Sequence, residues 1–174
     1  FDAVCEMQNL EGLFIKWSGI KNIDNIVKLK SLKSLHIGSS SQITDISILS
    51  KMTNLVTLDL ENIKVLTDIS PICELTELQG LGIDGDWNKN QTINTLLPIT
   101  KLQKLRYITL IGTKILDNSL KPLAEIKTLE RISTAFWFKK NEFELLYEKL
   151  PNLKYGNIIE IATDEEFCKK NRIK

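Results

Sequence analysis

Apolar residues recur along the chain at offsets of zero, three, six and eight from a start that returns seven times. The rows are Met7-Leu10-Leu13-Ile15, Leu29-Leu32-Leu35-Ile37, Met52-Leu55-Leu58-Leu60, Leu75-Leu78-Leu81-Ile83, Leu102-Leu105-Ile108-Leu110, a degraded Ile126-Leu129-Ile132-Thr134 and a last Leu150-Leu153-Gly156-Ile158. Successive starts lie 22, 23, 23, 27, 24 and 24 residues apart. Alternation at the sixth and eighth offsets predicts a short strand with one buried face in each unit, the last running from Leu153 to Ile161. A helical period would not reset itself at so constant an interval, so a set of amphipathic helices is rejected. A looser signature follows the rows: Ile20-Lys-Asn-Ile23, Ile43-Thr-Asp-Ile46, Leu66-Thr-Asp-Ile69, Ile93-Asn-Thr-Leu96 and Ile115-Leu-Asp-Asn-Ser-Leu120.

One such strand cannot bury itself, but units stacked side by side enclose the leucines in a continuous core. The expected fold is an α/β, right-handed solenoid with a curved parallel sheet on its concave face and helical or irregular segments on its convex face. The rows, with Ile43 to Leu55 and Leu66 to Leu75, resemble the leucine-rich repeat family. Within it they are most similar to the 22-residue class of bacterial internalins and the SDS22-type phosphatase regulator. The resemblance covers roughly residues 7 to 160 and implies a platform for binding other macromolecules. It departs from the family where Ser18 and Thr113 replace the usual asparagine after the strand, so the asparagine ladder that supports the turns is expected to be partial.

The repeats define a domain over residues 1–162, with a capping helix and basic tail over 163–174. Asn141 to Leu150 reads as an amphipathic helix with Asn141 as N-cap and with Phe143, Leu146 and Leu150 on one face. Thr163-Asp-Glu-Glu166 has capping-box spacing and opens a closing helix to about Lys170. Phe1 to Glu6 is too short to cap the other end well. That, and an opening on Phe1 rather than Met, leads to the expectation of an excised or processed piece.

Composition narrows the partner only by exclusion. Twenty-three basic residues against 22 acidic ones give a net charge of +1, too little summed field to hold nucleic acid or an anionic membrane. No apolar run reaches the roughly 18 residues of a membrane helix. The three cysteines, Cys5, Cys73 and Cys168, are odd in number and lack C-x-x-C spacing, which predicts free thiols and favours a cytoplasmic setting. A cell-surface or secreted setting stays open because of the start at Phe1. Asp84-Gly-Asp86-Trp87-Asn88 imitates the beginning of an EF-hand loop, but Lys89 stands where glycine is needed and Thr95 where glutamate is needed. No metal or cofactor is expected. Asn90-Gln-Thr92 is a glycosylation sequon, a pattern too common to carry weight alone.

The candidate chemistry lies on the open face of the sheet. Its middle row is expected to be Phe14, His36, Asp59, Gly82, Thr109, Ser133 and Asn157, flanked by a row from Gly12 to Tyr155 and another from Lys16 to Ile159. His36 and Asp59 become neighbours on adjacent strands, two-thirds of a hydrolytic triad. Ser34 is roughly 7 Å along the strand, out of hydrogen-bond reach, and no oxyanion hole is recognisable, so an enzyme is not expected. Tyr107, Arg131 and Tyr155 form a candidate cation–π stack. Asp59, Glu61, Asp84 and Trp87, flanked by His36 and Tyr107, form the candidate partner-binding site, on the expectation that no lysine or arginine of an adjacent strand neutralises it. These features favour a monomeric, non-enzymatic scaffold that binds a protein partner with a basic surface through the concave sheet. The alternative is a regulatory or inhibitory unit restraining an enzyme partner or an upstream module.

Overall fold

The computed structural model describes residues 1–63, 66–86 and 90–173. After a short helix α1 (Asp2–Cys5), the strands are β1 (Gly12–Lys16), β2 (Ser34–Gly38), β3 (Thr57–Glu61), β4 (Gly80–Asp84), β5 (Gln91–Ile93), β6 (Tyr107–Leu110), β7 (Thr113–Ile115) and β8 (Arg131–Thr134). Six form one parallel sheet in the order β1-β2-β3-β4-β6-β8, and β5 pairs with β7 in a small second sheet. The register matches the repeat offset for offset: Leu35, Leu58 and Leu81 are consecutive partners, as are His36, Asp59 and Gly82. In the five rows from Leu29 to Ile132 every apolar position is buried. The first row is looser, with Met7 exposed and Ile15 buried.

Each looser signature opens a five-residue 3₁₀ turn. The side-chain oxygens of Asn22, Asp45, Asp68, Thr95 and Ser119 accept the backbone N–H two residues on, from Asp24, Ser47, Ser70, Leu97 and Lys121. A short polar side chain therefore stands before each turn, because it closes the local ring that starts it. Ahead of β2, β3, β4, β6 and β8, one carbonyl of the preceding repeat accepts two N–H groups, for example Lys33 carbonyl from Val56 and Thr57, and Val56 carbonyl from Gln79 and Gly80. Beyond the strands, Trp17, Ser39, Asn62 and Gly112 occupy corresponding left-handed positions with φ of 51°, 46°, 51° and 68°.

Serines and Gln91 provide much of the turn support expected of an asparagine ladder. Ser18 and Ser40 hydroxyls lie 3.0 Å apart, and Ser40 donates to the Gly38 carbonyl. Where the next repeat has Ile63, buried Gln91 reaches back from β5, accepting the Ile63 N–H at 2.9 Å and donating to the Leu66 carbonyl at 2.7 Å.

The C-terminal end differs from the sequence reading in three respects. The expected final strand is a helix, α3 (Asn157–Thr163), which follows α2 (Lys140–Lys149) and precedes α4 (Glu165–Lys170). The ladder continues through an isolated bridge between Arg131 and Tyr155. Gly156 then takes φ 103°, where an added Cβ would collide with the Ile132 carbonyl oxygen. Asn157 stands in for the missing strand, accepting the Thr134 N–H at 3.0 Å and donating to its carbonyl at 2.7 Å. Helix α2 begins one residue before Asn141, with Lys139 as N-cap and no side-chain cap. The expected face is nonetheless buried through Phe143, Leu146 and Leu150. Helix α4 is capped by Asp164, which accepts the N–H groups of Glu166 and Phe167, while Thr163 donates back to the Ile159 carbonyl.

Candidate functional site

Period-two alternation sends Leu35, Leu58 and Leu81 into the core, so His36, Asp59 and Gly82 face the other side of the sheet. His36, Asp59, Glu61 and Asp84 share a concavity of about 440 Å³ with Leu60, Gly85 and Ile111. Tyr107 lies outside this lining, in the row that begins the strands, where it pairs with Gly80 and Arg131. Trp87 and Asn88 lie outside the described residues.

His36 stacks flat on Phe14, with centroids 4.1 Å apart and planes 7° apart. Its Nε2 is buried without a hydrogen-bond partner among the described residues, 3.6 Å from Glu61 Oε2. Gly38 makes room for this, since an added Cβ would stand 2.7 Å from that nitrogen. The bare glycine also lets Lys16 reach across β2 from β1 to meet Glu61 at 2.7 Å. This corrects the expectation of an unneutralised cluster: Glu61 is paired by a lysine two strands away, a span of roughly 10 Å that a long side chain crosses. Among the described residues, Asp59 and Asp84 have no ion-pair partner.

The Asp59 side chain lies over Gly82, which is open-facing but covered. Asp84 is fixed at the point where the sheet opens: its carboxylate accepts the Thr109 hydroxyl at 2.5 Å and the Ile111 N–H at 2.7 Å. Desolvation raises the Asp59 carboxyl above the ordinary aspartate value against the opposing influence of His36. Asp84 is raised by desolvation too, with its two hydrogen bonds lowering it and Asp59 and Glu61 raising it further. Removing carboxylates from water disfavours the charged form, and a basic group brought into the concavity would restore it.

Other sequence candidates assort differently. The Ser34 hydroxyl is engaged by Thr57 at 2.7 Å rather than by His36. The cation over Tyr107 is Arg106, 5.2 Å from the ring centroid, with Glu130 holding its Nε at 2.8 Å. Trp17 is exposed with Lys16 over its ring. All three cysteines are free, Cys5 and Cys168 buried. No described helix is long and apolar enough to cross a membrane.

A second concavity, of about 560 Å³, adjoins the first through Ile111 and is lined further by Thr134, Ala135, Phe136, Trp137 and Asn157. Sequence reasoning placed Ile111 and Ala135 on the flanking row without joining them to the acidic residues. The available signal was an isoleucine at an outward position, immediately after Leu110, the last buried residue of its strand.

No family model matches the chain, and no curated protein matches it in sequence. Among solved structures, internalin C2 of Listeria monocytogenes is 28% identical with a TM-score of 0.70, over 90% of this chain and 64% of that one. Another Listeria monocytogenes internalin, inlF, is 21% identical with a TM-score of 0.57, over 89% and 48% of the two chains. A leucine-rich repeat protein of Leptospira interrogans is 18% identical with a TM-score of 0.68, over 92% and 43%. The chain thus spans less than two thirds of the length of each. Its parallel six-stranded sheet, its repeated register and these likenesses show that the chain has the leucine-rich repeat fold.

Proposed function

We propose that this chain is a non-enzymatic recognition scaffold that binds a protein partner through the open face of its sheet, with the acidic centre meeting a basic partner surface. The observation that carries this reading is the pair of carboxylates, Asp59 and Asp84, desolvated in one concavity without an ion-pair partner among the described residues. A cation from a partner would relieve that desolvation and speed encounter at low salt. Exposed Phe14, Tyr107 and Tyr155 add rigid contact area on the same face.

Affinity capture on the immobilised chain, followed by binding kinetics with each captured protein, tests the reading. Asp59→Lys combined with Glu61→Lys should slow association and weaken binding while the melting transition stays cooperative. Equal binding by the folded double variant would move the site off the acidic centre.

A further inference from the structure

The two concavities that share Ile111 differ sharply in chemistry. The first presents Asp59 and Asp84 without ion-pair partners among the described residues; the second presents the exposed apolar side chains of Ile111, Phe136 and Trp137. Resting on the reading of the open face as a binding surface, we infer that they form one composite site for a partner segment that places an aromatic or long aliphatic side chain beside a lysine or arginine. The apolar side chain enters between Ile111 and Trp137, and the cation reaches the two aspartates.

Three observations support this occupant. Phe136 is held edge-on by Phe167 of α4 at 5.9 Å between centroids, so one wall of the apolar concavity is braced from below. Asp84 is oriented by Thr109 and by the Ile111 N–H, so the carboxylate and the shared isoleucine are positioned by the same short stretch of backbone. Rigid walls lower the ordering cost of binding. The strands that carry Asp84 and Thr134 are two apart in the sheet, which separates the halves by roughly 10 Å, about three residues of extended chain. A single short segment therefore spans both. The chain's own basic C-terminal stretch does not supply it, because its apolar residue Ile173 is buried at 8% exposure.

A displayed library of linear peptides panned on the immobilised chain is the test. Enriched peptides should pair an aromatic or long aliphatic residue with Lys or Arg within a few positions. Their affinity should fall about tenfold or more with Trp137→Ala. Asp84→Asn should weaken binding and flatten its salt dependence, and Asp59→Asn, which removes a carboxylate that makes no hydrogen bond among the described residues, should do the same if Asp84→Asn fails to fold. Enrichment without the apolar–basic pairing, no enrichment at all, or indifference to Trp137→Ala overturns the composite site. Peptides indifferent to Trp137→Ala but weakened by Asp59→Lys with Glu61→Lys overturn it while leaving the open-face reading intact. Concentration-dependent self-association lost in Trp137→Ala would make the occupant a second copy and equally overturn it.

Discussion

Leu58 and Asp59 are consecutive residues with opposite fates, one in the core and the other on the open face. Leu58 is fully buried between Leu35 and Leu81, so Leu58→Ala removes methyl contacts that nothing fills and should destabilise the chain by about 2–5 kcal/mol, read by chemical denaturation. Asp59 contributes in the opposite sense. Its folded pKa lies above the unfolded value, so the ionised form is disfavoured by folding, and the penalty is fully present above the folded pKa. As pH falls through the raised pKa toward the unfolded value of about 3.9, that penalty is relieved. Asp59→Asn should therefore raise the melting temperature slightly near pH 7, and the gain should shrink toward pH 4. A lower melting temperature at pH 7 would show that a favourable partner holds the carboxylate. The facing of these residues was legible because a period of two allows only one register once Leu58 is buried. The Lys16–Glu61 pair was not, because comparing neighbouring strands overlooks a side chain that crosses a glycine to reach the strand beyond.

At the level of elements, the strands and 3₁₀ turns follow from local rules, whereas the end of the solenoid follows from a tertiary one. Leu150, Leu153 and Ile158 keep the repeat spacing, yet the chain leaves the sheet after Tyr155 because Gly156 adopts a backbone conformation open to glycine and Asn157 satisfies the backbone of Thr134. No periodicity distinguishes that replacement from one more strand. The next helix, α4, depends on Asp164, whose Oδ1 accepts from two N–H groups. Asp164→Ala should cost about 0.5–2 kcal/mol, and amide exchange should quicken across Glu165–Lys170 before it does in β3 or β4. Since Phe167 braces Phe136, the same substitution should loosen the apolar concavity. Uniform exchange rates throughout would show that α4 is held by packing rather than by its cap.

Across the whole molecule, each repeat touches mainly its neighbours, so a change in one unit is compensated next door or not at all. Gln91 is such a compensation. It belongs to the longest repeat, 27 residues from Leu75 to Leu102, yet its amide satisfies Ile63 and Leu66 of the repeat before. Gln91→Leu should leave a buried N–H and a carbonyl without partners, at a cost of about 1–3 kcal/mol. Combined with Ile63→Asn, which restores a polar group beside the turn, the loss should be smaller than the sum of the two single substitutions. Strict additivity would mean that the two positions act independently. With Ile63 in place, a shortening of the following repeat that displaced Gln91 would remove a support on which its neighbour relies. Gln91 and the isoleucine thus constrain each other's replacement, since the side chain of one satisfies the turn that the other leaves without a polar group.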